Sequence, residues 1–280
     1  MAQVVRFLKG HGTQNDFVVL PDPGGRLDLT PGRVTAVCDR RSGIGADGVL
    51  RAVRSVALTE GRPMAAEAEW FMDYRNADGS LAEMCGNGIR VFARYLVDAG
   101  LAEPGELRIG TRAGVRAVRL DASGDVTVDM GPAEVLGEAG VRLGGTRYEG
   151  LRISVGNPHL ACVVGEPVAG IDLSAAPEVD PGDFPDGVNV EVVNPIASWH
   201  LTMRVHERGS GETRSCGTGA VAAAVAGARA QGRMTGTWRI DVPGGRVAVT
   251  LEKSTTALCG PAVLVGDGEL RADWWAGIGR

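Results

Sequence analysis

Short runs in which apolar and polar residues alternate occur along most of this chain, as is typical of half-buried β-strands. Gly, Pro or Asp residues separate the runs, and these residues favour turns. The pattern predicts strands in the segments AEAEWFMDY, LRIGTRAG, VRAVRLD, DVTVDMG, LRISVG, NVEVV, LTMRVHE, WRIDV and GRVAVTLE.

A few stretches break this alternation and predict helices. Thr30 followed by Pro31 is typical of a helix start and predicts a helix over GRVTAVCDRR. The stretches IRVFARYLVDAG and AVAAAVAGARAQG end at Gly100 and Gly232, and glycine commonly ends a helix. Both are apolar around most of their circumference, so we expect each helix to be buried inside its own sheet.

The two longer helices follow the same motif, Cys-Gly-x-Gly. Cys85 and Cys216, which begin its two copies, lie 131 residues apart, and GVRAVRLD aligns with GRVAVTLE at the same separation. The chain therefore predicts an α/β fold of two pseudo-symmetric, strand-rich domains, each wrapped around a central helix. We place residues 1–130 in the N-terminal half with Cys85, and residues 131–267 in the C-terminal half with Cys216.

Composition excludes several classes of function. The 280 residues carry a formal net charge of −5, and Lys and Arg are scattered, which argues against nucleic-acid partners and a membrane surface. The N-terminal MAQVVRFLKGHG lacks the plan of a signal peptide, and the apolar stretch AVAAAVAGA is far shorter than a membrane span. A cytoplasmic protein is expected.

The residues that usually bind cofactors are scarce. The five cysteines show no C-x-x-C spacing and the four histidines do not cluster, so free thiols and no metal site are expected. Lys9 and Lys253 are the only lysines, which disfavours a Schiff base to pyridoxal phosphate. GIGADG at 43–48 precedes a predicted strand, the reverse of a dinucleotide fingerprint. We therefore expect no cofactor.

A thiol at a helix start has particular chemistry. Unpaired N–H groups and the helix dipole favour negative charge there, which predicts a lowered thiol pKa and a binding site for a carboxylate. Two such sites, if the halves face each other, suit inversion of a carbon next to a carboxylate: one thiolate removes the α-proton and the other thiol delivers one to the opposite face. A cysteine protease or transferase would need only one cysteine with a base.

The chain closely resembles the diaminopimelate epimerase family, which interconverts LL- and meso-diaminopimelate without a cofactor for lysine and peptidoglycan synthesis. The similar segments run in family order over nearly the whole chain; they are KGHGTQNDFVV, RSGIGADGV, NADGSLAEMCGNGIR, SVGNPH, GVNVE, RVHERGSGETRSCGTGA and GPAVLVGDGEL. The resemblance implies that the last strand, at about residues 268–280, returns to the N-terminal half. A homodimer is compatible with it.

The resemblance also implies roles for individual residues. Cys85 and Cys216 would be the paired acid and base, with His159 and Glu207 as polar helpers beside them. Contacts to the substrate, diaminopimelate, are implied for Asn15, Asn76, Asn157, Asn189, Glu207 and Arg208, and for the main chain at Gly86, Asn87, Gly217 and Thr218. Arg208 would hold the distal carboxylate.

Several points stay open at this stage. Gln14 stands where the family often has Gly, and Cys259 where Thr is common. Cys38, Cys162 and Cys259 lack the motif and are predicted to be core thiols. A reversible disulfide between Cys85 and Cys216 is a hypothesis for an inactive state. The alternative functions are a racemase of another amino acid, such as histidine, on the same scaffold, and a non-catalytic amino-acid-binding or redox-responsive protein.

Overall fold

A computed structural model describes residues 4–279 of the chain. Contacts divide it into two compact units: the first ends at Val128 and resumes at Pro261, and the second covers Asp129–Gly260. The corresponding expectations were boundaries at residue 130 and near residue 268. Residues 1–3 and 280, which the predicted ranges include, lie outside the described residues.

Strands make up most of the secondary structure. They are β1 (Val5–Gly12), β2 (Asn15–Pro21), β3 (Gly48–Arg54), β4 (Trp70–Asn76), β5 (Gly105–Thr111), β6 (Gly114–Leu120), β7 (Asp125–Gly131), β8 (Glu134–Leu143), β9 (Thr146–Ser154), β10 (Pro158–Val163), β11 (Glu178–Val179), β12 (Asn189–Ala197), β13 (His200–Glu207), β14 (Gly211–Thr213), β15 (Gly236–Val242), β16 (Gly245–Leu251), β17 (Thr256–Pro261) and β18 (Val263–Leu270). The α-helices are α1 (Pro31–Cys38), α2 (Gly86–Asp98), α3 (Gly217–Ala230) and α4 (Ala272–Gly277), with short 3₁₀ turns at Ser55–Ala57, Arg62–Met64 and Val168–Gly170. Within the described residues, no helix has the length and apolarity to cross a bilayer.

The two units have the same succession of strand pairs. In the first, the strand order is β18-β1-β2-β3-β4-β5-β6-β7, and the pairs β2–β3 and β4–β5 are parallel while the others are antiparallel. In the second, the order is β8-β9-β10-β12-β13-β15-β16-β17, and the parallel pairs β10–β12 and β13–β15 fall at the same places in the succession. A repeated sequence has thus folded into a repeated topology.

Strand register confirms the 131-residue repeat. Gly105 pairs with Leu120 across β5 and β6, and Gly236 pairs with Leu251 across β15 and β16. Each member of the second pair stands 131 residues after its counterpart. The residues that the sequence repeat aligns therefore also occupy equivalent positions in the hydrogen-bonded strand pairs of the two units.

Each unit packs its strands around one of the two longer helices. In α2, the consecutive residues from Ile89 to Ala93 are all buried, and in α3 the same holds from Ala220 to Ala224. Burial of consecutive residues means that every side of the helix is covered. The prediction that both helices are internal is confirmed.

Two predicted strands were wrong in their extent. Residues 66–69 of AEAEWFMDY lie in turns, where the N–H groups of Glu67 and Ala68 both donate to Met64 O, so the strand begins at Trp70. The strand that returns to β1 is Val263–Leu270 rather than 268–280, and the residues after it form α4. A helix there suits the adjacent tryptophans, because Trp275 is buried in a core cluster against which Trp274 also packs.

Candidate active site

Cys85 caps the N-terminus of α2. Its backbone is extended, with φ −140° and ψ 120°, and its Sγ accepts a hydrogen bond from the Gly88 N–H over 3.3 Å. Gly86 and Asn87 occupy the first two positions of the helix, where backbone N–H groups have no acceptor within the helix. The predicted combination of a thiol and main-chain donors at a helix start is therefore present in the first unit.

Two asparagines surround this thiol. The Cys85 thiol lies 3.7 Å from Asn15 Oδ1, to which Asn87 Nδ2 also donates over 3.2 Å. Asn15 is held from its other end, since its Nδ2 donates to Asp47 Oδ2 over 2.7 Å. Asn15, Cys85 and Asn87 are thus one connected group.

Ion pairs hold the strand that carries Asn15 in place. Asp16 forms ion pairs with Lys9 at 2.5 Å and with Arg40 at 2.7 Å, and Arg40 also reaches Asp47 at 2.7 Å. Burial raises the pKa of the Asp16 carboxyl, but hydrogen bonds from Arg40 and Lys9 outweigh it and lower that pKa to about 2. The carboxylate is therefore ionised at neutral pH.

The turn before Asn15 has a backbone conformation that favours glycine. Thr13 and Gln14 have φ of 50° and 62°, the left-handed region that favours glycine. The Gln14 N–H donates to His11 Nδ1 over 3.3 Å. Gln14 keeps the tight turn between β1 and β2 despite its side chain.

Asn76 closes β4 at the start of a turn. Its Nδ2 donates to Ser80 Oγ over 3.0 Å, and its backbone N–H donates to Ser80 O. The pairing Gly48↔Asn76 places it at the end of β4, next to the start of β3.

Cys216 caps α3 as Cys85 caps α2. Its Sγ accepts from the Gly219 N–H over 3.4 Å and lies 3.5 Å from Thr218 Oγ1. Thr218 in turn accepts from Asn157 Nδ2 over 3.3 Å. The second unit therefore repeats the arrangement of the first: a capping thiol, a helix start and an asparagine from the end of a loop.

Glu207 lies in hydrogen-bond contact with Cys216. The Cys216 thiol and the Thr213 hydroxyl both donate to the Glu207 carboxylate. Burial raises the pKa of Glu207, and burial together with the negative charges of Glu207 and Glu191 raises the pKa of Cys216 well above its ordinary value. The expected lowering of the thiol pKa was wrong for Cys216, because the Gly219 N–H and Thr218 do not outweigh burial beside two carboxylates.

His159 reaches the Cys216 site through Asn157. Its Nε2 lies 2.9 Å from Asn157 Oδ1 and its Nδ1 lies 2.7 Å from Glu191 Oε1. His159 and Glu191 are both fully buried. Sequence reasoning missed Glu191; the signal was present, because a charged residue in the otherwise apolar run NVEVV predicts a buried carboxylate that needs a partner.

Asn189 ties together two other predicted residues. Its Nδ2 donates to Pro158 O and its Oδ1 accepts from the Arg208 N–H, each over 3.0 Å. Arg208 is exposed, and its Nη1 donates to Asp186 O over 3.0 Å. In the structure Asn189 thus holds the backbone at the start of β10 and that of Arg208.

The remaining cysteines differ from one another. Cys38 and Cys162 are buried, and burial raises the pKa of each to about 12, which confirms them as core thiols. Cys259 is only half-buried, so the prediction of a core thiol was wrong there. The alternation of β17 turns Leu258 into the core and Cys259 away from it.

No cysteine forms a disulfide in the structure, and the disulfide between Cys85 and Cys216 stays a hypothesis for an inactive state. Over the part of the chain that the structure describes, no three His, Cys, Asp or Glu side chains are grouped as metal ligands.

Comparison with known proteins identifies relatives over nearly the full chain. The family model described as diaminopimelate epimerase matches residues 7–136 and 151–268. The diaminopimelate epimerase of Thermobifida fusca is 58% identical over 273 residues, covering 95% of this chain and 98% of that protein. That of Streptomyces coelicolor is 52% identical, covering 99% of each. That of Rhodococcus opacus is 51% identical, covering 97% and 99%.

Solved structures share the fold at low identity. A PhzF-family phenazine biosynthesis protein of Bacillus anthracis superposes with a TM-score of 0.67 at 15% identity, covering 96% of this chain and 99% of that one. A hydroxyproline epimerase of Agrobacterium vitis, with bound trans-4-hydroxy-L-proline, gives 0.67 at 15% identity, covering 95% and 92%. The predicted fold class is confirmed.

Proposed function

Because the chain belongs to the diaminopimelate epimerase family, we propose that it interconverts LL- and meso-diaminopimelate with Cys85 and Cys216 as the two acid–base groups. Epimerisation, an isomerase reaction, is the activity of this family. The observation that carries the assignment of residues is that both thiols cap equivalent helices in a repeated fold. The reaction would serve lysine and peptidoglycan synthesis, with no cofactor.

For one stereoisomer, the proposed reaction begins at Cys216. Glu207 accepts the thiol proton, and the resulting thiolate takes the α-proton of the substrate. Cys85 then delivers its own proton to the opposite face of the α-carbon, which leaves Cys85 as the thiolate, Cys216 as the thiol and Glu207 protonated. For the other stereoisomer, the same steps run in reverse.

Main-chain donors would stabilise the intermediate. As the α-proton leaves, negative charge spreads onto the adjacent carboxylate. The N–H groups of Gly86, Asn87, Gly217 and Thr218 lie at helix starts, where they and the helix dipole favour an anion. Donors fixed in this way need no reorganisation as the charge develops.

The polar side chains would recognise the two ends of the substrate. The guanidinium of Arg208 suits a bidentate contact with the distal carboxylate. Asn15, Asn76, Asn157 and Asn189 each carry an amide that is both donor and acceptor, as an amino acid with an ammonium and a carboxylate requires. His159 would act as a helper behind Asn157.

Location and assembly belong to the same proposal. We place the reaction in the cytoplasm, in keeping with cysteines that form no disulfide. A small molecule is the substrate, and neither nucleic acid nor a membrane is a proposed partner. A homodimer stays a prediction that sedimentation equilibrium would test.

Proton NMR of meso-diaminopimelate in D₂O tests the function. The wild-type protein should remove the α-proton signal and produce the LL isomer, and either Cys85→Ala or Cys216→Ala should abolish formation of that isomer. Cys259→Ala is the matched control and should keep the activity. Epimerisation of another amino acid instead, such as histidine, would keep the mechanism and change the substrate. No reaction of the reduced protein with any amino acid would leave a binding protein.

A further inference from the structure

The two capping cysteines stand over chemically different neighbours. A Cβ at Gly88, one turn into α2, would lie 3.2 Å from Leu50 and 3.4 Å from Phe17. A Cβ at Gly219, the equivalent position in α3, would lie 2.7 Å from Glu191 Oε1. The same place beneath the helix start is therefore apolar in one unit and holds a carboxylate in the other.

Strand register shows that these neighbours are equivalent positions. In the parallel pair β2–β3, Phe17 pairs with Gly48 and Val19 with Leu50. In β10–β12, His159 pairs with Asn189 and Ala161 with Glu191. The pair Phe17–Leu50 of the first unit thus corresponds to the pair His159–Glu191 of the second, and all four side chains are fully buried.

A chain of hydrogen bonds leads from Glu191 to the thiol. Glu191 Oε1 contacts His159 Nδ1 at 2.7 Å, and His159 Nε2 contacts Asn157 Oδ1 at 2.9 Å. Asn157 Nδ2 donates to Thr218 Oγ1 over 3.3 Å, and Thr218 Oγ1 lies 3.5 Å from Cys216 Sγ.

The order of donors and acceptors along this chain of hydrogen bonds determines which nitrogen and oxygen atoms carry protons. Asn157 donates to Thr218 through Nδ2, so its Oδ1 accepts from His159 Nε2, which must carry a proton. The short contact between His159 Nδ1 and Glu191 Oε1 then needs a second proton, which the two atoms share. The pair is either imidazolium with carboxylate or imidazole with carboxylic acid, and neither form leaves a net charge buried.

We propose that Glu191 is a positioning residue for Cys216, acting through His159 and Asn157 to hold the start of α3 and to set the charge beneath the thiol. The proposal rests on Cys216 being one of the two reacting thiols. It implies that the two thiols of this protein are unequal, because the Cys85 half has only Phe17 and Leu50 at the corresponding places.

The other titratable groups around Glu191 are few. His159 and Cys162 lie on β10, Glu207 on β13 and Cys216 at the start of α3, and each interacts electrostatically with Glu191. Burial raises the pKa of Glu191, whereas His159 opposes that rise. Among the described residues, Glu191 Oε2 has no hydrogen-bond partner, so His159 is the side chain that holds this carboxyl.

The first test needs no substrate. The rate at which methyl methanethiosulfonate modifies each cysteine is measured against pH, with the cysteines resolved by mass spectrometry, in wild type and Glu191→Gln. The pair is neutral as a whole, but in its imidazolium–carboxylate form the negative oxygen of Glu191 lies against Gly219 and acts on Cys216. Glutamine keeps the shape without that negative oxygen, so the midpoint for Cys216 should move to lower pH by roughly one unit. Cys85 is the internal control, and its midpoint should stay where it is.

The second test separates catalysis from binding. In Glu191→Gln, kcat for epimerisation should fall at least about tenfold, as expected when acid–base groups lose their alignment, while KM should change less than about twofold. The pH dependence of kcat should change with it. If the family substrate is not turned over by wild type, the proposed function fails, but the thiol measurement still judges the role of Glu191.

A double variant keeps the test decisive if Glu191→Gln folds poorly. His159→Phe with Glu191→Leu recreates the Phe17–Leu50 pair, and a buried ionic pair replaced by apolar residues often leaves stability unchanged. It should fold and should bring the pH profile of Cys216 modification closer to that of Cys85. An unchanged Cys216 profile in these variants would overturn the proposal, and so would an equal shift of both cysteines.

Discussion

Asn76 and Glu207 are the last residues of β4 and β13, and each lies nine residues before the cysteine that caps the following long helix. The same position thus holds an amide in one unit and a carboxylate in the other. Asn76 donates to Ser80, whereas Glu207 accepts from Thr213 and from the Cys216 thiol. Of these two side chains, only the Glu207 carboxylate can take a proton from its cysteine.

Glu207→Gln should therefore remove the acid limb of the pH profile. Burial raises the pKa of Glu207, so the carboxylate needed as a base is lost as pH falls through that raised value. In wild type, kcat/KM should fall at that pH. In Glu207→Gln it should be reduced by at least about a hundredfold at every pH. Asn76→Ala changes the equivalent position of the first unit, where there is no carboxyl; it should weaken substrate binding and keep the acid limb. An acid limb that persists in Glu207→Gln would contradict the assignment.

Asn189→Ala should weaken substrate binding more than it weakens the fold. The Asn189 amide holds both Pro158 O and the Arg208 N–H, so its loss frees the backbone that presents Arg208. We expect KM to rise at least about tenfold, the equivalent of one to two hydrogen bonds. Asn194 on the same strand donates to Val164 O over 3.0 Å, and Asn194→Ala should lower stability by about 1 kcal/mol without changing KM. Equal KM values in the two variants would refute this role.

Gly219→Ala should be more damaging than Gly88→Ala. The new methyl would lie 2.7 Å from Glu191 Oε1, which is held by His159, whereas at Gly88 the nearest atom is the flexible end of Leu50 at 3.2 Å. We expect Gly219→Ala to lower the free energy of unfolding by about 1–3 kcal/mol. Gly88→Ala should be closer to neutral, since alanine is the better helix former. Urea unfolding of both variants would measure the difference, and equal losses would argue against the clash.

Asp16→Asn should destabilise the protein in a pH-dependent way. The pKa of Asp16 is lowered to about 2, so its ion pairs with Lys9 and Arg40 stabilise the fold above the unfolded pKa and are lost as pH falls toward 2. The deficit should be about 2 kcal/mol at pH 7 and should shrink between about pH 4 and pH 2. Asp273→Asn, at an exposed ion pair that solvent screens, should show a much smaller dependence. Urea unfolding at several pH values is the measurement; a deficit that stays constant would exclude this cause.

Local pattern was sufficient to predict several of these features. The helix start at Thr30, the helix ends near Gly100 and Gly232 and the buried helices after each Cys-Gly-x-Gly follow from spacing and residue type within a few positions. The repeat of 131 residues predicted which strands would correspond. Local alternation was wrong at residues 66–69, where hydrogen bonds to Met64 O replace the expected strand. The strand that the resemblance implied at 268–280 is in part α4, in which Trp275 is buried.

The chemistry at each thiol depended on the tertiary structure. The sequence predicted a cysteine at each helix start and, from that, a lowered pKa, because a helix N-terminus favours negative charge. It could not show that Cys216 is buried beside Glu207 and Glu191, which raises its pKa instead. Glu191 comes to the site only because β10 and β12 pair in register, which sets a carboxylate against His159 where the other unit has Leu50 against Phe17. The sequence determined the repeat and its two cysteines. The pairing of the strands decided that the Glu191 carboxyl lies beneath the helix that Cys216 caps, whereas Leu50 lies beneath the helix that Cys85 caps.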